Sequence, residues 1–270
     1  MRLLYINKIE TNAGWGLETF INQSLNQQGV ETICIDYEKN KYCLAQKLLE
    51  LEKDFDALLL QKGTGYVIPR QIIKTINRPR FFLFTELIAR NSDQHYLFQC
   101  NLFDHIFLRS QPCIDSVTKQ GWLKSKQVSL ILSAINPSFH KPIQGVTKDI
   151  DVLFVGTLLP RRQRILEDLS KQFAVVTRQA FGTEMVELIN RAKIILNIHG
   201  EEFLDTETRV YEVLACQGFL ITEKLSEESP FSNEKHLVEV ESVEKMINKI
   251  AYYLSNETQR DKIAEAGYKE

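Results

Sequence analysis

The chain has 270 residues, 44% of them hydrophobic and 25% charged, which excludes long disorder and leaves room for two domains of roughly 130 residues each. Lys and Arg number 33 against 35 Asp and Glu, and the imbalance is uneven: 17 against 13 in residues 1–142, then 16 against 22 in the remainder. Neither half is basic enough for a nucleic-acid groove, so no nucleic-acid partner is expected.

Strands and helices alternate from the start. Arg2–Ile6 reads as a buried strand, and a helix over Leu17–Gln28 stops at Gly29. Strands are expected at Thr32–Ile35, Ala57–Leu60, Phe81–Phe84, His105–Leu108 and Val128–Ile131. Helices are expected at Leu44–Leu51, Val67–Ile76, Asp93–Cys100 and Ile114–Lys119. Near-continuous apolar strands separated by helices predict a parallel sheet covered on both faces. Ser133–Asp149 holds Pro137 and Pro142 without clear periodicity and reads as a linker between domains. The alternation then restarts. Strands are expected at Asp151–Val155, Phe173–Val176, Ile194–Leu196 and Phe219–Ile221, and helices at Arg162–Lys171, Met185–Arg191, Thr208–Cys216, Val243–Leu254 and Thr258–Ala266. The expected architecture is α/β, with two Rossmann-like domains, 1–140 and 141–270, facing across a cleft.

No apolar run approaches the ~20 residues needed to cross a bilayer. Met1-Arg2 leads straight into strand-like sequence, so neither a transmembrane segment nor a signal peptide is expected. Five cysteines (Cys34, Cys43, Cys100, Cys113 and Cys216) form an odd set without a CxxC pair. A disulfide framework and a zinc site are therefore not expected, and the pattern fits a reducing cytoplasm.

In parallel sheets ligands bind beyond the carboxyl ends of the strands, which singles out the residues just after each strand. Gly14, Trp15 and Gly16 form a small loop before a helix, suited either to close ligand approach or to a tight turn. Gly63-Thr64-Gly65, Arg109 and Glu223 also follow strands. Glu86 ends a very apolar strand, where desolvation would raise its pKa toward the general-base range; capping or solvation is the other reading. Gly156-Thr157 precedes Arg161, Arg162 and Arg164 at a helix start, where cations oppose the helix dipole unless an anion is near. Asn197 and His199 share one face of a strand exit, His199 being either structural or catalytic. In a helix starting near Asp205 or Thr206, Arg209 and Glu212 lie three residues apart on one face, as a surface ion pair or as holders of a phosphate and a ribose diol. There is no GxGxxG for a dinucleotide, and no carboxylate or His/Cys set has metal-ligand spacing, so neither cofactor nor metal is expected.

Several segments together carry a resemblance. They are Val155-Gly156-Thr157 with Arg161-Arg162, Ile195-Leu196-Asn197-Ile198-His199, and Arg209-Val210-Tyr211-Glu212 running on to Phe219-Leu220-Ile221-Thr222. His236-Leu237-Val238, Ile250–Leu254 and Gln259–Gly267 extend it. Roughly residues 150 to 270 resemble the C-terminal domain of a GT-B glycosyltransferase of the group 1 type, close to the spore-maturation-like branch. The resemblance implies a cytoplasmic, metal-independent hexosyl transfer from a nucleotide-diphosphate sugar to an acceptor that is a sugar, lipid-linked, small-molecule or protein group. It implies that Glu212 binds the donor ribose, that Arg161 or Arg209 binds the diphosphate, and that Gly156 and Thr157 allow close approach, with Asn197 beside them. The acceptor would lie against the first domain near Gly14–Gly16, and Glu86 and His199 are the catalytic candidates. A non-catalytic binding or assembly protein of the same fold, or a sugar-nucleotide epimerase, are the alternatives. Gln217 stands where relatives usually have glycine, and no second glutamate has the family's seven-residue separation from Glu212.

Overall fold

Apolar runs become strands here, those at the centre of each sheet buried on both faces and the edge strands only in part, and the polar residues that end them mark the sheet rims. The computed structural model describes residues 1–11, 16–62, 69–85, 100–121, 124–133, 135–200, 204 and 206–270. They divide into two units, Met1–Leu132 and Ser133–Glu270.

In the first unit, six strands form one sheet: β1 (Arg2–Asn7), β2 (Glu31–Asp36), β3 (Ala57–Lys62), β4 (Arg80–Phe84), β5 (His105–Leu108) and β6 (Val128–Leu130). All pair in parallel, in the order β2-β1-β3-β4-β5-β6. Helices α1 (Leu17–Gln27), α2 (Leu44–Glu50), α3 (Arg70–Lys74) and α4 (Gln111–Lys119) join them. The core gathers alternate strand residues, among them Leu4, Ile6, Leu58, Leu60, Phe82, Phe84 and Ile106. Phe82 stacks on Phe103 with ring centroids 4.9 Å apart. The strand order reverses between β1 and β3, which makes their carboxyl ends the ligand-binding crevice of this topology.

The second unit repeats the plan with five parallel strands: β7 (Ile150–Val155), β8 (Val175–Arg178), β9 (Ala192–Asn197), β10 (Leu220–Glu223) and β11 (Val238–Val240). Their order is β11-β10-β9-β7-β8, so the reversal falls between β7 and β9. Helices α5 (Pro160–Ser170), α8 (Val243–Ser255) and α9 (Glu257–Lys269) cover one face through Ile165, Leu169, Ile250 and Ile263. Helices α6 (Gly182–Arg191) and α7 (Thr208–Ala215) cover the other through Met185, Ile189, Val210 and Val213. Period-2 alternation explains the sorting: Val152, Phe154, Ile194 and Leu196 feed the first face, and Leu153, Val155 and Ile195 the second.

Several elements differ from their expected bounds for identifiable reasons. α4 begins at Gln111 rather than Ile114, because the Ser110 hydroxyl accepts the Cys113 N–H at 3.3 Å and Pro112 suits the first turn. α7 starts at the expected Thr208, with Glu207 at its N-cap, and stops one residue early at Ala215, where Cys216 is the C-cap. The strand expected at Phe173 starts at Val175, since the Phe173 N–H still donates to Leu169 at 3.0 Å and extends the helical turn. α3 is shorter than the expected Val67–Ile76, with Pro69 at its N-cap. Of the helix expected at 93–100 only Cys100 lies within the described residues, at the start of a 3-10 turn over Cys100–Leu102. β11 was not anticipated, its three residues being too short to show a period.

The segment read as a linker is docked onto the second unit. Asn190 Oδ1 accepts the Ile143 N–H at 2.7 Å while its amide donates to the Lys141 and Val186 carbonyls. Lys148 Nζ donates to the Ala192 carbonyl at 2.9 Å, and Phe139 packs against the core. Among the described residues no helix is long and apolar enough to cross a membrane.

Candidate functional site

The carboxyl ends of β7 and β9 flank the reversal in the second unit, and the first turn of α5 stands over them. No side chain caps that helix; Leu159 is the N-cap and Pro160 fills the first turn. Arg161 and Arg162 therefore sit where the helix dipole disfavours cations, and each is compensated by a carboxylate from elsewhere in the unit. Arg161 grips Glu223 with both terminal nitrogens, Nη1 to Oε2 at 2.8 Å, and Nη1 also donates to the His199 carbonyl at 3.0 Å. Glu223, at the end of β10, further accepts the His199 backbone N–H at 2.7 Å. Burial pushes the Glu223 carboxyl up, but the Arg161 fork and the His199 N–H outweigh it and hold it below the usual range.

Arg162 is fixed from three sides before its last edge is used. Nε donates to the Ile198 carbonyl at 2.7 Å, Nη1 to the Thr157 carbonyl at 3.3 Å, and the guanidinium lies 5.6 Å from the centroid of the Phe154 ring. Nη2 points at Glu207 and reaches both carboxylate oxygens, at 3.0 and 3.1 Å. Gly200 permits this packing, because a Cβ there would come within 2.8 Å of Leu159 Cδ1.

His199 is buried between these pairs. Its Nε2 contacts the Lys224 carbonyl at 2.9 Å, and its Nδ1 lies 3.7 Å from Glu207 Oε1 without a hydrogen bond. Burial works against the charged ring, but Glu207, the Lys224 carbonyl and the Glu223 charge outweigh it and raise its pKa above the ordinary histidine value. Asn197, wholly buried, donates to the Thr222 hydroxyl at 3.0 Å and ties β9 to β10.

A second group lies on α7. Arg209 Nη1 is 3.1 Å from Glu212 Oε2 and also contacts Met185 Sδ. His140 Nε2 approaches Glu212 Oε1 at 3.8 Å, while its Nδ1 accepts the Asn136 N–H at 3.2 Å. Burial lowers the His140 pKa, against the pull of Glu212 and with the push of Arg209. His140 also lines a hollow of about 400 Å³ with Pro137, Tyr211, Leu214, Phe231 and Tyr268.

Residues 141–270 match the family model described as "Glycosyl transferase-like". The second unit is similar to the glycosyl transferases that this model describes. The whole chain has the GT-B fold: the crystal structure of Anabaena HepE in complex with UDP-glucose superposes with a TM-score of 0.73 at 10% identity, covering 100% of this chain and 94% of that one. Two uncharacterized proteins of Acanthamoeba polyphaga mimivirus are also similar. One is 34% identical over 39% of this chain and 40% of its own length; the other is 25% identical over 67% and 52%. The chain spans about half the length of these curated relatives.

Within the second unit, Gly156, Thr157, Arg161, Asn197 and His199 gather around the ends of β7 and β9. Arg209 and Glu212 form their own pair, and α7 joins the groups, since its N-cap Glu207 belongs to the first. The parts that sequence reasoning missed are the pairing of Arg162 with Glu207 and the placing of His140 against Glu212. The excess of arginine at the start of α5 was the available signal for the former. In the first unit, Gly14, Trp15, Gly63-Thr64-Gly65 and Glu86 lie outside the described residues. Gly16 precedes α1 with a φ of 113°, a left-handed conformation that favours glycine. Arg109 Nη1 donates to the Thr85 carbonyl at 3.1 Å, beside the end of β4. Among the described residues no group of three or more His, Cys, Asp or Glu is placed to hold a metal ion.

Proposed function

We propose that this chain transfers a sugar from a nucleoside-diphosphate sugar to an acceptor hydroxyl, with the donor held by the second unit and the acceptor by the first. One observation carries the reading. In a glycosyl transferase-like unit, two arginines in the first turn of α5 stand over the strand-order reversal between β7 and β9. That is where the topology binds ligands, and a planar guanidinium there matches a diphosphate. HepE, which shares the fold, is described in complex with UDP-glucose, in line with this assignment.

In this scheme Arg161 and Arg162 neutralise the charge that grows on the departing diphosphate, without a divalent ion. Glu212 accepts hydrogen bonds from the ribose hydroxyls, Arg209 beside it adds its charge on the diphosphate side, and Gly156 and Thr157 give the backbone room beside the phosphates. His199, sharing Glu207 with Arg162, sits at the leaving-group end of the reaction. Glu86 and the Gly14–Gly16 loop remain the candidates for acceptor activation and acceptor contact. A non-catalytic binding protein is the second reading, favoured by the carboxylates that already pair with both arginines. Release of UDP or GDP from radiolabelled nucleotide sugars, assayed over a panel of sugar and lipid-linked acceptors, tests the proposal. Nucleotide binding without any turnover, including slow hydrolysis, would favour the binding protein.

A further inference from the structure

The Arg162 guanidinium is a receptor built independently of the group it now holds. Its Nε and Nη1 are committed to the Ile198 and Thr157 carbonyls, and Phe154 backs its face. The remaining edge is aimed at one oxyanion, and the Glu207 carboxylate fills it. On the other side of that carboxylate stands His199, 94% buried, with Nε2 anchored on Lys224 and Nδ1 lacking a hydrogen bond 3.7 Å from Oε1. The Glu207 carboxylate spends both oxygens on Arg162 and stops 3.7 Å short of Nδ1, whereas a tetrahedral phosphoryl group is larger and carries three outward oxygens. Glu207 is also the N-cap of α7, yet its side chain makes no capping bond, so the first-turn N–H groups of α7 keep no side-chain partner from it.

We propose that Glu207 is a resident occupant of the anion subsite, holding the place on Arg162 and beside His199 that a phosphoryl group of the ligand takes, and that binding expels it. This rests on the diphosphate reading above. The exchange replaces one anion by another on a fixed guanidinium. It lets the protein keep a half-buried arginine without an uncompensated charge, at the expense of affinity in proportion to how firmly Glu207 is seated. Expelled, the Glu207 side chain becomes available to cap α7, which offsets part of that loss.

The test uses inorganic pyrophosphate, UDP and GDP titrated calorimetrically into the full chain. Glu207→Gln keeps the shape and removes the competing charge, so pyrophosphate and UDP or GDP affinity should rise about tenfold or more. Glu207→Asp, which retracts the carboxylate but keeps its charge, should give a smaller rise and covers the case in which Glu207→Gln fails to fold. Adding Arg162→Gln to Glu207→Gln should abolish the gain, because both residues act on the same subsite. Unchanged or weaker pyrophosphate binding in folded Glu207→Gln would overturn the proposal. If pyrophosphate binding rises but UDP and GDP bind no tighter than pyrophosphate in any variant, the displacement stands and the nucleotide reading falls.

Discussion

Arg209 and Glu212 stand one turn apart on α7 with Nη1 3.1 Å from Oε2, and their side chains are only 15% and 16% exposed. A pair so sheltered differs from the exposed ion pairs of this unit, such as Lys171 with Asp168. If Glu212 binds a ribose, Glu212→Ala removes charge-assisted bonds worth ~1.5–3 kcal/mol, and UDP or GDP affinity should fall ~10- to 150-fold. Arg209→Ala should weaken the diphosphates more than the bare nucleosides, which carry no anionic oxygens. Calorimetric titration of nucleosides and nucleotides into both variants checks this. Wild-type affinity in a folded Glu212→Ala protein would remove Glu212 from the donor site.

Gln217 ends α7 in the left-handed region, with a φ of 55°. The Gly218 N–H donates to Val213 and the Gln217 N–H to Leu214, both at 2.9 Å, the two crossed bonds of a Schellman motif. The residue at the left-handed position is normally glycine, so Gln217→Gly relieves backbone strain while adding some unfolded-state entropy. The net expectation is a gain of ~0.5–1 kcal/mol, read as a higher midpoint in chemical denaturation. A lower midpoint would mean that the glutamine side chain makes contacts worth more than the strain.

The repeating strand and helix pattern was legible because burial on both faces writes itself as apolar runs, as at His105–Leu108, whose bounds match the expected ones. The strand order was not, since nothing in β7 and β9 says that they are neighbours. The site was half legible for the same reason. Arg161 and Asn197 announce themselves by position, but Arg162 and Glu207 are 45 residues apart and Arg161 and Glu223 are 62 apart. Only the folded sheet brings them together. The segment around Pro137 and Pro142 looked like a linker because its order comes from the Asn190 side chain and not from its own periodicity.

The proposed diphosphate binding through Arg161 and Arg162 makes a further demand. Each guanidinium already supplies the positive charge that a divalent ion would bring, so nucleotide-sugar affinity should be the same in EDTA as in buffer with magnesium or manganese. Titration of UDP-glucose under the three conditions checks it. Affinity that is lost in EDTA and restored by the metal would show that the arginines do not suffice.

Two of the three histidines of the second unit, His199 and His140, provide a pH test of the described charges. His199 is raised above its ordinary value of 6.5 by Glu207 and the Lys224 carbonyl in spite of burial, so folding favours its charged form. Its contribution to stability is complete below about pH 6.5, where the unfolded chain is also protonated, and is lost as pH rises through the folded value. His140 is the reverse: burial lowers it despite Glu212, so its contribution is present above about pH 6.5 and is lost as pH falls through the folded value. His199→Gln should therefore cost more stability at pH 5.5 than at pH 8.5, and His140→Gln more at pH 8.5. Resolved imidazole signals in a proton NMR titration should show His199 titrating above 6.5 and His140 below it. Coincident titration near 6.5 would mean that Glu207 does not face the His199 ring in solution, and the reverse order would overturn both assignments.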